Sequence, residues 1–457
     1  MKASLALASC CLLLALCLAA VPACSSNDGA GLDAQVESSD AAQALDASSL
    51  PDDSGVPDAP DATGAAPDAG APDGNVLTGD PLSEAELMRV TSQLASEEFA
   101  GRDEGTPGGA AARSFLIQEM QRCGIAPAVS GSYLQPITTG NGTNILGVIP
   151  GSDATLSSRY VVLSAHYDHL GVIGGQTYNG AYDNATADAL VLGVACTFAR
   201  NPPKRSILVA FWDAEEPRTF LTNKMGSAFY ASNPVIPLAQ TDVAVVLDLI
   251  GEGLWTGYQG HFVFGAELSP QTLAVVDAIT PPAGLPVYRA GLHLFEETAQ
   301  GHLPLSDYDA FRNKNIPILF FSDGQNRVYH TPEDDVDLVD RPKLVKEAVY
   351  LLLVTLGLTD AASFTFTSGN DYLTDTVTIG VILDDALASG GMVDVLQLSA
   401  STRTKLQGDR TKVTALHDKI AGGGTPTTAE IRSLRFAGQR VMCHAGGAYS
   451  ESICNSF

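Results

Sequence analysis

The stretch YVVLSAHYDHLG, residues 160–171, joins two kinds of sequence that seldom meet. Residues 160–165 are almost wholly apolar, which is typical of a strand buried on both faces of a sheet. The residues that follow include His166, Asp168 and His169, whose side chains are polar and ionisable. An apolar strand that ends in imidazoles and a carboxylate indicates that something at this end needs them. We therefore expect a functional site at the carboxyl end of this strand.

Other apolar runs and helical patterns surround this stretch and predict the fold class. Three more short apolar runs occupy residues 207–212, 243–247 and 316–321. Helical periodicity is found at 83–94, 110–123, 185–200, 226–232, 270–278, 343–356, 404–420 and 428–442. Strands that alternate with helices predict an α/β sandwich with a parallel-rich sheet.

Ionisable residues follow each predicted strand or begin the helix after it. In open α/β sheets, sites gather at the carboxyl ends of the strands. Carboxylates crowded there would repel one another, and a divalent cation resolves that repulsion because carboxylate and neutral imidazole are its ligands. Five side chains would suffice for two metal ions that share a bridging carboxylate, with Asp183 as the bridge: His166, Asp183, Glu216, Asp248 and His330. We expect Asp168 to orient the imidazole of His166 and Glu215 to act as the general base.

The order of these motifs resembles that of the co-catalytic zinc aminopeptidases of metallopeptidase clan MH, which include bacterial leucyl aminopeptidase. The matching segments span about residues 84–357 and are LASEEFAGRDEGTPGG (94–109), AHYDHLG (165–171), NGAYDNAT (179–186), AFWDAEE (210–216), VLDLIGE (246–252), SDYDAF (306–311), IPILFF (316–321) and YHTPEDD (329–335). The resemblance implies a mostly parallel mixed sheet between helices. It also implies one zinc held by His166, Asp183 and Asp248, and a second held by Asp183, Glu216 and His330. The implied reaction is hydrolysis of the amino-terminal bond of peptide substrates, with Glu215 carrying the proton and Asp168 orienting His166.

Two other functions stay open at this point. One is a glutaminyl cyclase, a single-zinc enzyme of the same structural group. The pair Asp183-Asn184 and the presence of Tyr329 before the final histidine both argue against this alternative. The other is a catalytically silent surface binding protein of this fold, although such relatives have lost ligands that this chain keeps. Tyr182, Thr186 and the long PRTFLTNKMGS segment after Glu216 depart from the family pattern and bear on substrate preference.

The amino terminus predicts export. Lys2 and the apolar run 5–20 are typical of a signal peptide. Residues 21–24, VPAC, resemble a bacterial lipobox, so we expect lipidation at Cys24 and a lipid-anchored protein of the bacterial cell envelope, in the periplasm or on the outer surface. Val21 and Pro22 depart from the commonest lipobox, and secretion without an anchor is the alternative. Residues 25–79 are rich in Asp, Ala, Ser, Pro and Gly, which predicts a disordered acidic linker.

Composition and domain boundaries complete the prediction. A net charge of −26 argues against nucleic acid as a partner. We divide the chain into a lipoprotein signal peptide (1–24), the linker (25–79), a zinc peptidase catalytic domain (80–358) and a mainly helical C-terminal segment of unknown role (359–457). No oligomeric state is indicated. Outside the signal, Cys443 and Cys454 are close enough in sequence for a disulfide, whereas Cys123 and Cys196 are equally compatible with free buried thiols.

Several polar and aromatic residues are predicted to lie outside the metal chemistry. His169 is surplus to the ligand count. Histidines 261, 293 and 302 are expected on the surface or at the rim, Asp213 on the surface as readily as in the cleft, and residues 333–335 as caps of the next turn. Aromatic residues 212, 258, 262 and 264 are expected to pack in the core more readily than to line a substrate pocket. A specificity loop would lie within 252–304.

Overall fold

A computed structural model describes residues 77–298 and 301–457. The predicted signal peptide, Cys24 and nearly all of the predicted linker lie outside these residues. The described strands are β1 (Ala126–Pro127), β2 (Leu134–Pro136), β3 (Thr143–Ile149), β4 (Tyr160–His166), β5 (Gly171–Ile173), β6 (Gln176–Tyr178), β7 (Ser206–Trp212), β8 (Thr241–Leu247), β9 (His261–Phe264), β10 (Val287–Ala290), β11 (Glu297–Thr298), β12 (Gly301–His302) and β13 (Ile318–Ser322).

The described helices are α1 (Glu84–Leu94), α2 (Pro107–Arg122), α3 (Thr186–Arg200), α4 (Gly226–Ser232), α5 (Pro270–Ala278), α6 (His293–Glu296), α7 (Tyr308–Arg312), α8 (Arg341–Asp360), α9 (Tyr372–Leu387), α10 (Met392–Val395), α11 (Ala400–Ala421), α12 (Thr428–Gly446) and α13 (Glu451–Cys454). Local signals set several of their ends. For example, Ser83 accepts a hydrogen bond from the amide of Glu86 and so caps α1. Among these helices, none is long and apolar enough to cross a membrane.

A nine-stranded mixed sheet forms the centre of the molecule. Along its main path the strand order is β1-β3-β7-β4-β8-β13-β9-β10, and β2 pairs with β3. The four middle strands, β7, β4, β8 and β13, run parallel, whereas β3 and β9 pair antiparallel on either side of them. These four strands are the four predicted apolar runs. The expected mixed sheet between helices, parallel at its centre, is confirmed.

Each face of the sheet has its own hydrophobic core, which explains the continuous apolar runs. Val161 and Leu163 of β4 belong to the core that α1, α2, α3 and α8 cover, while Val162 belongs to the core on the other face. A strand buried on both faces needs apolar residues at every position rather than at alternate ones. Replacing one of these buried residues by alanine costs about 2–5 kcal/mol in similar cores.

The C-terminal helices complete the second core. Leu383 of α9, Leu406 of α11 and Leu434 of α12 lie in the same cluster as Phe264 and Phe320 of the sheet. α8 ends at Asp360, close to the predicted boundary at 358, but the residues after it share a core with the strands. The division into domains stays a prediction, and the segment packs directly on the sheet.

Residues 252–304 contribute to the core as well as to loops. This segment contains β9 and β10, two strands of the main sheet, and α5. Aromatic residues predicted to pack in the core do so: Trp212, Tyr258, Phe262 and Phe264 all lie in the second core. A specificity loop within this segment stays a prediction, and it would lie outside β9, α5 and β10.

Two disulfides connect helices. The first disulfide, Cys123–Cys196, joins the end of α2 to α3, and the second disulfide, Cys443–Cys454, joins α12 to α13. The second pair is the one that proximity in sequence suggested. For the first pair the structure decides between free thiols and a bridge, because the packing of α2 on α3 brings residues 73 apart in sequence together.

Candidate active site

The site lies at the carboxyl ends of the four middle strands. β4 ends at His166, and Asp168 follows it by two residues. β7 ends at Trp212 shortly before Glu215 and Glu216, and β8 ends at Leu247, directly before Asp248. Because neighbouring parallel strands end at the same edge of a sheet, three segments distant in sequence meet there. Asp183, three residues before α3, and the loop that carries His330 complete the site.

Asp183 lies between two imidazoles. Its Oδ1 is 3.4 Å from Nε2 of His166, and its Oδ2 is 3.2 Å from Nε2 of His330. The same nitrogen of each imidazole also faces a second carboxylate. His166 Nε2 is 3.3 Å from Asp248 Oδ1, and His330 Nε2 is 3.0 Å from Glu216 Oε2. The five side chains predicted as metal ligands are thus brought together in one cluster.

Glu215 and Asp168 lie beside these five residues. Glu215 Oε2 is 3.9 Å from His166 Nε2, and Glu215 is only 7% exposed. The carboxylate of Asp168 accepts the backbone amides of Glu215 and Glu216, at 3.0 and 3.2 Å. Nδ1 of His166 is 3.2 Å from the backbone carbonyl of Asp168 and 3.7 Å from its carboxylate. Asp168 therefore fixes both His166 and the segment that carries the two glutamates.

Burial and neighbouring charges shift the acid strength of the two glutamates in opposite directions. Burial raises the pKa of the Glu215 carboxyl well above its ordinary value, with His166 opposing and Asp248 adding to the increase. Burial also disfavours the charged form of Glu216. His330 and His169 outweigh that effect and hold the pKa of Glu216 well below its usual range. Adjacent carboxylates in the sequence thus have different environments.

The site contains backbone conformations that side chains disfavour. Ala214, Leu249 and His330 all have positive φ, at 63°, 60° and 58°. Each lies next to a residue of the cluster or belongs to it, and such a conformation costs on the order of 1 kcal/mol. Backbone strain of this kind is concentrated at functional sites, where a side chain must be held in one position.

Arg102 holds two of the site segments together from behind. Its side chain is fully buried, and its guanidinium donates to the carbonyl oxygens of Tyr167, Asn179 and Gly180 as well as Leu94. Tyr167 follows His166, and residues 179–180 precede Asp183. Asp334 performs a related function, since its carboxylate accepts the backbone amides of Tyr182 and Asp183. The predicted role of Asp334 as a cap of its own turn is therefore wrong, although Asp335 does cap the turn at Val336.

Two further polar residues, Asp213 and His261, differ from their predicted surroundings, and His169 lies in the site although it is surplus to the ligand count. Asp213 is 1% exposed and accepts hydrogen bonds from the Tyr167 hydroxyl and the Thr143 amide, so a surface role is wrong. His169 is fully buried inside the site, with Nδ1 at 2.6 Å from Glu216 Oε1. Its place in the same HYDH motif as His166 is the signal that could have indicated this. His261 is also buried, at 1% exposure, in contrast to the prediction of a surface position. His302 is exposed as predicted.

His261 belongs to a separate buried charge cluster, which we define as His261, Asp323, Lys343 and Glu347. Nδ1 of His261 is 2.9 Å from Asp323 and 3.5 Å from Glu347, while Nζ of Lys343 is 3.0 Å from Asp323 and 3.5 Å from Glu347. The ammonium group of Lys343 already supplies the positive charge that the two carboxylates need. This cluster is therefore an ion-pair network, although its histidine and carboxylates also have the spacing of metal ligands.

In contrast, the donor set of the site fits metal ions. His166 forms one group of potential ligands with Glu215 and Asp248 and another with Asp183 and Glu216, and within each group the ligand atoms lie within 4.8 Å of one another. Imidazole and carboxylate donors of this kind suit zinc and similar divalent ions.

Comparison with known proteins agrees with this arrangement. Residues 144–354, which include the five expected ligands as well as Asp168 and Glu215, match the model of Peptidase family M28. This region belongs to peptidase family M28. The predicted membership of metallopeptidase clan MH is thus confirmed, and the region is that of a metallopeptidase hydrolase. A curated relative, the uncharacterized protein YfbL of Escherichia coli (strain K12), is 26% identical over 231 residues, which are 46% of this chain and 69% of YfbL.

Solved structures with similar folds include both expected kinds of enzyme. The LapA aminopeptidase of Legionella pneumophila is 15% identical with a TM-score of 0.48, and the match covers 62% of this chain and 73% of LapA. The glutaminyl cyclase of Porphyromonas gingivalis is 16% identical with a TM-score of 0.47, and the match covers 61% of this chain and 99% of the cyclase. The choice between these activities rests on the residues of the M28 region itself.

Proposed function

We propose that the M28 region is a zinc-dependent aminopeptidase that uses two zinc ions to hydrolyse the amino-terminal bond of peptides. The observation that carries this proposal is the position of Asp183. Its two carboxylate oxygens face two different imidazoles, and the Nε2 atom of each imidazole also lies beside a second carboxylate, that of Asp248 or of Glu216. A carboxylate in this position is what two metal ions need as a shared ligand.

The ligand assignment follows from these distances. His166, Asp183 and Asp248 would hold one zinc, while Asp183, Glu216 and His330 would hold the other. When bound, the two ions would polarise the carbonyl of the scissile bond and make water more acidic. A single-zinc enzyme needs only one set of ligands, whereas each oxygen of Asp183 has an imidazole and a further carboxylate beside it. This second set, together with Asn184 and Tyr329, favours the aminopeptidase over the glutaminyl cyclase.

Glu215 is the proposed general base. Its carboxylate lies at the edge of the cluster and is not needed as a ligand in this scheme. It takes a proton from the attacking water and delivers that proton to the nitrogen of the leaving amine. Asp168 keeps Glu215 in place, because both of its carboxylate oxygens are committed to the amides of Glu215 and Glu216.

The test of the base is Glu215→Gln in the full-length protein. Glutamine preserves the shape but cannot accept and return the proton, so we expect release of amino acids from aminoacyl amides to fall by about 10²–10⁴-fold. Bound zinc should stay at the wild-type amount. Glu333→Gln, on an exposed residue close to His330 in sequence, is the matched control and should leave turnover unchanged. Wild-type turnover in Glu215→Gln would remove Glu215 from its role.

The test of the ligand set is His330→Ala. We expect this change to remove one equivalent of zinc, measured by elemental analysis after dialysis against metal-free buffer. His302→Ala replaces an exposed histidine and should retain both equivalents. Full zinc occupancy in His330→Ala would contradict the assignment.

Product analysis distinguishes the three functions. An aminopeptidase releases free amino acids from peptide substrates, whereas a glutaminyl cyclase releases ammonia from amino-terminal glutamine and needs one zinc. A silent binding protein would release neither product while binding peptides. Two zinc ions together with amino-acid release would support the proposal. Ammonia release with one zinc would replace it by the glutaminyl cyclase, and peptide binding without either product would replace it by the silent binding protein.

Export and lipid anchoring at Cys24 are further parts of the proposal that rest on sequence alone. The test is metabolic labelling with a fatty acid, with Cys24→Ser as the control. Label on the wild-type protein only would support an anchored enzyme of the bacterial cell envelope, and label on neither would indicate secretion without an anchor.

A further inference from the structure

His169 has a defined position next to an expected metal ligand. Its imidazole is fully buried, and Nδ1 lies 2.6 Å from Oε1 of Glu216. The ring packs against Gly180, where an added Cβ would lie 2.5 Å from Cδ2 of His169. Gly180 has a positive φ of 62°, and its carbonyl accepts from Arg102. The backbone around the ring is therefore fixed, and a glycine makes room for it.

Glu216 has one imidazole at each carboxylate oxygen. Oε1 is 2.6 Å from His169, while Oε2 is 3.0 Å from His330. These two histidines differ in exposure, since the side chain of His330 is 21% exposed and that of His169 is 0% exposed. The carboxylate is thus held from the protein side by His169 and faces His330 with its other oxygen.

The geometry of His169 distinguishes a supporting residue from a ligand. A carboxylate oxygen can only accept, so Nδ1 of His169 is the donor in the 2.6 Å contact. The same Nδ1 is 3.8 Å from Asp183 Oδ2, beyond hydrogen-bond distance. Nε2 is buried and has no hydrogen-bond partner among the described residues. One ring nitrogen is therefore used by Glu216, and the other makes no hydrogen bond to the five clustered side chains.

We propose that His169 is a positioning residue for Glu216, which binds Oε1 so that Oε2 alone is presented to the second metal ion. This inference rests on the proposed function for the identity of the ligands. Without the Nδ1 donor, the carboxylate of Glu216 is free to rotate and Oε1 is buried without a partner. Residues that hold metal ligands in this way contribute 10–100-fold to metal affinity, as an order of magnitude.

The experiment compares three variants of the full-length protein: His169→Asn, His169→Gln and His169→Leu. The amide nitrogen of asparagine replaces Nδ1 in space, whereas that of glutamine reaches towards the place of Nε2 and leucine has no donor. Zinc affinity is measured by competition with a chromophoric chelator after the metal has been removed. Circular dichroism of the metal-free variants shows whether each one folds.

We expect His169→Asn to bind zinc within about 3-fold of wild type, and His169→Gln and His169→Leu to bind the weaker zinc about 10–100-fold less tightly. If leucine prevents folding, the asparagine and glutamine variants decide the matter, because both are polar amides. Equal affinities in the asparagine and glutamine variants, or wild-type affinity in leucine, would overturn the proposal. Loss of zinc in all three would indicate that the imidazole is itself a ligand and would also overturn it.

This result is separate from the outcome for the proposed function. If the wild-type protein binds one zinc or releases no amino acid, the two-zinc aminopeptidase is refuted while the ratio of zinc affinities still tests His169. If the wild-type protein is an active aminopeptidase and the ratio is close to one, only the role of His169 is refuted.

Discussion

Arg102→Met should unfold the site segments, and the size of the effect can be worked out from the structure. The guanidinium of Arg102 donates to four carbonyl oxygens at 3.0 Å or less, those of Leu94, Tyr167, Asn179 and Gly180. A buried acceptor that loses its partner costs about 1–3 kcal/mol. At the lower bound, the four carbonyls together give about 4 kcal/mol, which approaches the lower end of the free energies of unfolding of native proteins, about 5–15 kcal/mol.

The assay is urea unfolding of the full-length protein, followed by circular dichroism. Arg113→Met is the matched control, because Arg113 is a partly exposed arginine with one hydrogen bond, 3.3 Å to the Tyr167 hydroxyl, and one long ion pair, 3.9 Å to Asp213. We expect the control to lose about 1 kcal/mol or less. Arg102→Lys should fall between the two, since an ammonium group keeps the charge and reaches fewer of the carbonyls. A free energy of unfolding for Arg102→Met within 1 kcal/mol of the control, as an order-of-magnitude threshold, would refute the reasoning.

Three more predictions concern the disulfides, pH and zinc. Opening the first disulfide, which closes a loop of 73 residues, by Cys123→Ser with Cys196→Ser should lower the free energy of unfolding in urea by about 4 kcal/mol. Opening the second, which closes a loop of 11 residues, should lower it by about 3 kcal/mol. A larger loss of stability from the second would contradict the loop-length argument. Burial lowers the pKa of His261, but its partners in the buried charge cluster, Asp323 and Glu347, raise it to about 9, with Lys343 opposite them. This stabilisation is complete below the unfolded pKa of about 6.5 and is lost as pH rises through about 9, which amounts to about 3 kcal/mol. The free energy of unfolding, measured between about pH 6 and about pH 10, should show this loss in the wild type but not in His261→Gln. An equal dependence of the free energy on pH in both proteins would contradict the prediction. Chelation should lower the melting temperature, since binding at a thousandfold excess over Kd is worth about 4 kcal/mol; calorimetry that finds no shift would argue against bound zinc in the folded state.

The middle of the fold follows from sequence because its strands are buried on both faces. Each of β4, β7, β8 and β13 is an apolar run, and the polar residues after them mark where the runs end. The same reasoning brings the five expected ligands to one edge of the sheet. Here local patterns and the geometry of parallel strands suffice.

Other features depend on partners that local patterns do not reveal. β9 begins with His261, a residue whose burial is stabilised by Asp323 and Glu347, more than sixty positions away. The first disulfide depends on the packing of α2 against α3. A count of metal ligands predicts no role for His169, because it does not consider residues that support a ligand, and only the distance to Glu216 gives this histidine a role.

The end of α12 touches the segment that leads to His330. Met442 Cε lies 2.8 Å from where a Cβ on Gly324 would stand, and the side chain of Arg327 packs at Gly447. A change in the structure of α12 would therefore displace the segment that leads to His330, although α12 lies outside the cluster of expected ligands. Proteolytic cleavage within roughly the last thirty residues, about the length of one long helix and its connections, should therefore weaken zinc binding. The cleaved protein should lose bound zinc gradually during storage while its central sheet stays intact. Preparations with intact and clipped tails would then differ in shelf life before they differ in shape.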